Sequence, residues 1–229
     1  MTGASASDAA PVPPSLAGVI GVLGGTFDPV HHGHLRLALE AAEALDLEEV
    51  RLIPAGQPPH RVQPVASAPD RLALVEAAVG GTPRLRADRR EADRPGPSYT
   101  VDTLASLRSD LGRRPLFLLL GMDAFRGLDT WHRWREIPRL AHLAVARRPG
   151  GRLPVQGPVA ELLSGARVDD PRTLRRRPAG SVVLVDVPPL AISATRIREL
   201  LGAGRDPRWL LPDSTLALIR QRGLYLARS

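Results

Sequence analysis

Short apolar runs alternate along the chain with stretches whose apolar residues recur at helical spacing, and clusters of Gly, Pro and polar residues separate them. The first run, Val19 to Leu23, ends in Gly24-Gly25, and from His34 to Leu45 alanine and leucine recur with the helical period. This predicts a strand, a glycine turn and a helix. A strand over Val50 to Pro54 follows, then a Pro-rich loop from Gly56 to Pro69, a helix from about Asp70 to Val79 and a strand at Arg84 to Ala87. Farther on, the pattern predicts a helix over about Thr100 to Leu111, a wholly apolar strand at Leu116 to Leu120, and strands at His142 to Ala146 and Val182 to Val187. Strands alternating with helices predict an α/β fold whose doubly wound parallel sheet is flanked by helices on both faces. Ser193 to Leu201 and Ser214 to Arg222, the second closed by Gly223, predict a small C-terminal helical part. The polar, Pro/Gly-rich stretch from Pro149 to Gly180 reads as a loop or a small lid.

Composition narrows the class. With 229 residues, 43% hydrophobic and 24% charged, the chain is long enough to bury one core. A single domain over residues 18–229 is expected, after a flexible N-terminal extension over residues 1–17 that is rich in Ala, Ser and Pro. The absence of cysteine excludes disulfides and thiolate chemistry. No apolar run reaches the roughly 20 residues of a membrane helix, and no secretory signal opens the chain, so a soluble, cytoplasmic protein is expected. The net charge of +7 raises the prospect of nucleic acid or a membrane surface as partner. Every basic residue apart from histidine is arginine, however, and the arginines are scattered; the tight cluster Arg175-Arg176-Arg177 reads as a solvated loop. Neither nucleic acid nor membrane is therefore expected as a partner, and a homo-oligomer is left open.

The chemistry concentrates at Gly24-Gly25-Thr26-Phe27-Asp28-Pro29-Val30-His31-His32-Gly33-His34-Leu35. A glycine pair between a buried strand and a helix lets backbone approach a phosphate, and the free amides of the helix start point at the anion. The His-x-Gly-His unit adds two imidazoles as donors for charge that builds on a phosphoryl group. Other phosphate motifs do not fit: a chain without lysine has no P-loop, and the strand that should end on the acidic residue of a dinucleotide fingerprint runs into Pro54-Ala55-Gly56. A metal site at His31, His32 and His34 lacks both cysteine and a carboxylate placed to complete a tetrahedral set. Histidines that merely cap a helix would explain His32, but neither the glycines nor the repeated pairing.

A second helix start lies at Ile192-Ser193-Ala194-Thr195-Arg196-Ile197-Arg198, where Ser193 is a good N-cap. In a doubly wound sheet ligands bind at the carboxyl edge of the strands, so hydroxyls, amides and arginines here would meet the phosphates of a nucleotide. A capped surface helix with two solvated arginines is the plainer alternative for this segment taken alone.

Together the two segments resemble the nucleotidyltransferase superfamily with a His/Thr-x-Gly-His element, and within it the bacterial nicotinate-nucleotide adenylyltransferases. The similarity runs from about Gly21 to Tyr225 and includes Pro58-Pro59-His60-Arg61, Pro97-Ser98-Tyr99-Thr100 with Thr103-Leu104, Gly121-x-Asp123, Thr130-Trp131 and Arg147-Arg148-Pro149-Gly150. It implies a Rossmann-like sheet on which His31, His34 and Arg198 are catalytic. ATP would be held by Gly24, Gly25, Thr26, His31, His34, Gly121, Asp123, Ile192, Ser193, Thr195 and Arg198, with Asp123 on a ribose hydroxyl. Nicotinate mononucleotide would be held by Phe27, His60, Thr100, Trp131 and His132, Trp131 stacking on the ring. His132 departs from the family pattern, in which tyrosine is frequent. His32 is a spacer and Arg196 has no assigned role.

The resemblance implies transfer of AMP from ATP to nicotinate mononucleotide, giving nicotinate adenine dinucleotide and pyrophosphate in NAD biosynthesis. Mg2+ would arrive on the ATP phosphates, with no metal held by the protein. Two alternatives stay open: a sibling nucleotidyltransferase with another phosphorylated acceptor, and a non-catalytic nucleotide-binding protein.

Overall fold

The computed structural model describes residues 18–59, 63–147, 151–188 and 190–226. Its six strands are β1 (Ile20–Gly25), β2 (Glu49–Pro54), β3 (Leu85–Ala87), β4 (Leu116–Gly121), β5 (His142–Arg147) and β6 (Val182–Asp186). They form one sheet in the order β3-β2-β1-β4-β5-β6, parallel throughout. This is the doubly wound, Rossmann-like α/β arrangement that the alternating pattern predicts. The helices are α1 (His32–Ala44), α2 (Ala68–Val79), α3 (Thr100–Leu111), α4 (Met122–Arg126), α5 (Ile137–Leu140), α6 (Pro158–Ala166), α7 (Ala194–Gly202) and α8 (Asp213–Gln221).

The central strands β1, β4 and β5 are buried on both faces, so they read as continuous apolar runs rather than as alternating ones. In β4, Phe117 and Leu119 enter one core with α1, α2, α7 and α8, while Leu116, Leu118 and Leu120 enter the other with α3, α4, α5 and α6. β1 divides in the same way: Leu23 faces the first core and Ile20 and Val22 the second. Strand order reverses between β1, which pairs with β2, and β4, which begins the second half. A crevice therefore opens beyond the carboxyl ends of β1 and β4, where Gly24, Gly25 and Gly121 lie.

The stretch 149–180 contains more structure than its Pro/Gly content suggests. α6 buries Val159 and Leu163 against the second core, and a 3-10 segment, Pro171–Arg176, buries Leu174 in the first. Arg175 of the basic run pairs with Asp46 at the end of α1. The extension over residues 1–17 lies outside the described residues.

The C-terminal helices close the first core. α8 packs on α2, Ser214 donates its hydroxyl to the carbonyl of Ala77 at 2.7 Å, and Arg222 pairs with Asp70 at 2.7 Å. Within α8 the hydroxyl of Thr215 is fully buried with no hydrogen-bond partner. Thr215→Val keeps the shape and removes the unsatisfied group, so it is expected to raise stability by about 1 kcal/mol, or the melting temperature by roughly 2–4 °C. A lower melting temperature in a thermal scan would contradict this.

Candidate active site

The signature segment turns sharply after β1. Phe27 takes a left-handed conformation, φ 49°, that swings its ring into the first core at 2% exposure. The ring passes close beneath Gly25, where a Cβ would approach it to 3.1 Å, and stands edge-on to His34 with centroids 4.9 Å apart. Gly24 serves a different end: it borders the crevice, and a Cβ there would meet no atom within 4 Å, so its bareness leaves room beside the backbone rather than permitting packing.

His31 occupies the N-cap position of α1 with extended backbone, φ −151°, yet its imidazole does not cap the helix. The ring stacks on that of His34, centroids 3.7 Å apart and planes 24° from parallel. Gly33 makes this possible, because a Cβ there would lie 3.0 Å from Nδ1 of His31. His32 is held through its main chain, its N–H donating to the carbonyl of Leu210 at 3.0 Å. The first turn of α1 carries no acidic residue, which leaves the positive end of the helix open to an anion.

Burial, and secondarily the charge of His32, lowers the His31 pKa to about 4, so at neutral pH it presents a neutral ring. Its Nδ1 is buried without a hydrogen-bond partner. His142, at the start of β5, is also pushed down by burial; its Nε2 bonds the Arg177 carbonyl at 2.9 Å and its Nδ1 accepts from the Ser181 N–H at 3.2 Å. Both histidines are thus folded in their neutral form. The unfolded chain takes up their protons first, so they favour folding less as pH falls below 6.5, and for His31 the loss is complete below about pH 4. Denaturation in urea at pH 7, 5.5 and 4.5 should show stability falling, by roughly 2 kcal/mol over that range on account of His31. His31→Gln should flatten the curve; an unchanged slope would contradict the assignment.

Three residues that sequence reasoning passed over hold the turn in place. The carboxylate of Asp28, 5% exposed, accepts from the N–H groups of Val65 (2.8 Å) and Ala66 (3.1 Å) and from the hydroxyl of Tyr225 (2.8 Å). Burial and the Asp28 carboxylate push the Tyr225 phenol up, so it stays protonated and donating. Arg71, 1% exposed, donates to the carbonyls of Thr26 (2.7 Å), Gly56 (3.1 Å) and Ala66 (3.1 Å).

The second helix start meets the first here. Ser193 caps α7, its Oγ accepting from the N–H of Arg196 at 3.2 Å. Arg198 donates to the carbonyl of Asp28 at 2.7 Å and reaches the Thr195 hydroxyl at 3.4 Å, and the Ile192 carbonyl lies 3.8 Å from where a Gly33 Cβ would be. Arg196 points away and pairs with Glu199. Gly121 is the N-cap of α4, and the Asp123 side chain, wholly exposed, pairs with Arg126 at 3.1 Å.

On the other side of β1 a cavity of about 190 Å³ is bordered by Gly24, Gly25, Thr26, Thr100, Trp131 and His132. His132 stacks on Tyr99 with centroids 4.2 Å apart, and Trp131 packs against the second core. Phe27 is not among the lining residues, its ring being committed to the core, and His60 lies outside the described residues. Glu91, Ser98 and Thr103 also border this cavity; Ser98 and Thr103 fall in segments that the sequence singles out, and Glu91 does not.

Relatives carry the same framework. The Cytidylyltransferase-like family model matches residues 22–200. A protein from Aeromonas salmonicida named probable nicotinate-nucleotide adenylyltransferase is 50% identical over 212 residues, covering 93% of this chain and 99% of its own length. One of the same name from Pseudomonas syringae pv. tomato is 51% identical over 209 residues, covering 91% and 94%. The chain belongs to the nicotinate-nucleotide adenylyltransferase family.

The Plasmodium falciparum nicotinic acid mononucleotide adenylyltransferase, solved with APC and with NaAD, shares the fold of this adenylyltransferase family member. TM-scores are 0.65 and 0.66 at 14% identity, covering 91% of this chain and 97% of that one. Among the described residues of this family member, no helix is long and apolar enough to cross a membrane.

Proposed function

We propose that this protein transfers AMP from ATP to nicotinate mononucleotide, releasing pyrophosphate and forming nicotinate adenine dinucleotide in NAD biosynthesis. The observation that carries the reading is the junction at the strand reversal. A stacked histidine pair at a helix start lies between the α7 N-terminus with Arg198 on one side and an aromatic-walled cavity on the other.

In this reaction a phosphate oxygen of the mononucleotide attacks the α-phosphorus of ATP in line. The new P–O bond forms as the bond to the β-phosphate oxygen breaks, and the leaving electrons stay on pyrophosphate. The nucleophile is already anionic, so the residues contribute by positioning and by neutralising charge. His31 and His34, with the amides opening α1, would meet the α-phosphate; Arg198, Ser193 and Thr195 would meet the β- and γ-phosphates. Gly24 and Gly25 let the nucleotide approach the backbone, with Gly121, Asp123 and Ile192 bordering the adenosine. Thr100, Trp131 and His132 would hold the nicotinate ring. Magnesium is carried in on the ATP phosphates as part of that substrate; among the described residues no group of three carboxylates or imidazoles is gathered to hold an ion. Both substrates are intracellular nucleotides, which supports a cytoplasmic place of action.

Pyrophosphate release is the test, with ATP against nicotinate, nicotinamide, flavin and pantetheine phosphate acceptors. Fastest release with nicotinate mononucleotide is expected, and a clear preference for another acceptor would overturn the reading. Arg198→Ala is expected to raise the KM for ATP about tenfold and to leave that for the mononucleotide within a factor of about two. Unchanged saturation by ATP would remove Arg198 from the phosphate site.

A further inference from the structure

The cavity bordered by Thr100, Trp131 and His132 holds a group that ring stacking does not use. Glu91 is 6% exposed and is the one acidic side chain among the described lining residues, none of which is an arginine. The Thr103 hydroxyl donates to its Oε1 at 2.6 Å, and the Ser98 hydroxyl lies near enough to its carboxyl to favour the charged form. Ser98 accepts at the same time from the N–H groups of Gly56 (2.9 Å) and Gln57 (3.2 Å), so its own proton is left to give to Glu91. Arg94 reaches the Thr103 oxygen at 3.2 Å, which likewise turns that hydroxyl proton toward Glu91. Gly56 presses on the Glu91 main chain, where a Cβ would come within 2.2 Å of the carbonyl oxygen, so the backbone beneath the carboxyl is fixed.

A carboxyl group that receives two hydroxyl donors is set up as an acceptor, that is, as a carboxylate. Burial, helped by the neighbouring Asp88, raises its pKa on balance, and the hydroxyls and the Arg94 charge offset part of that rise. Arg94 and Arg71 lie near Glu91, but neither borders the cavity, so on its cavity side the buried anion faces no cation among the described residues and favours one there. In a pyridine mononucleotide the ring nitrogen, quaternised by its bond to ribose, is the positive centre, and aromatic faces such as Trp131 and Tyr99 also favour a cationic ring. We propose that Glu91 is the counter-charge for the pyridinium of the acceptor, and so selects acceptors whose ring is cationic. This rests on the mononucleotide reading given above.

Glu91→Gln keeps the shape and removes the charge. Steady-state pyrophosphate release should show the KM for nicotinate mononucleotide raised about tenfold or more, with the KM for ATP within a factor of about two. The decisive readout is binding of the ring-reduced dihydro form of the same mononucleotide, whose ring carries no charge. By calorimetric titration the native protein should favour the pyridinium form over the reduced form by about tenfold or more, and the variant should lose that preference. Equal weakening of both forms would show that Glu91 only braces the cavity and would overturn the proposal, as would an unchanged preference. Should the variant not fold, the native protein's own preference decides, and equal affinity for the two forms would end the proposal. If the native protein releases no pyrophosphate with nicotinate mononucleotide, it is the assignment of the reaction that has failed.

Discussion

His34→Ala is expected to lower turnover about 100- to 1,000-fold while the protein stays folded, the loss typical when one donor to a developing anion is removed. The ring of His34 is only partly buried, fixed between the stacked His31 and the edge of Phe27, and alanine is the best helix former for this first turn of α1. Most of the loss should fall on kcat, because the donor matters most when charge builds on the α-phosphate. His31 is a less clean probe. At 6% exposure its removal also leaves a cavity over Gly33, and stability and rate would change together. Single-turnover kinetics alongside a thermal melt separate the two effects for His34→Ala. A variant that melts like the native protein and turns over like it would remove His34 from the reaction.

The central strands were legible because they are short apolar runs that the sheet buries on both faces, and the longer helices because their apolar residues recur over at least two turns. Local rules also placed the His-x-Gly-His turn and the Ser193 cap, whose determinants lie within a few residues of one another. α4 and α5 span only 5 and 4 residues, too short to show a period, and α6 was hidden in a stretch whose prolines and glycines suggested a loop. The supports of the site were illegible for a different reason. Tyr225 bonds Asp28 across 197 positions, and Arg71 bonds Thr26 across 45, separations at which no local pattern exists. A single arginine on an amphipathic helix reads as solvated, and only the folded chain shows Arg71 turned inward. Glu91 was passed over for the same reason, as one acid in the charged run Asp88 to Arg94. Phe27 differs in kind: the family motif suggests a ligand contact, and the positive φ of the turn commits its ring to the core, which leaves its main chain for such a contact.

Arg71→Met should cause the largest loss of stability, about 3 kcal/mol or more. Methionine matches the arginine stem in bulk, so packing is largely kept and the loss isolates the guanidinium. Without it the carbonyls of Thr26, Gly56 and Ala66 lose their donor together, and at 1% exposure there is little room for water to replace it. Those carbonyls belong to the turn after β1, the turn after β2 and the approach to α2, so one side chain ties both walls of the cavity to the helix behind them. Burial lowers the pKa of Arg71, and the nearby Asp28 and Glu91 carboxylates offset part of that effect. Removing the guanidinium would also leave the buried carboxylate of Asp28 with Arg198, at 3.9 Å, as its neighbouring cation. Arg71→Lys is expected to recover only part of the loss, because a compact ammonium does not span three carbonyls that a planar fork reaches at once. Urea denaturation at pH 7 measures both variants. A midpoint for Arg71→Met within about 0.5 kcal/mol of the native protein would mean that the turns hold themselves and that Arg71 is only a buried passenger.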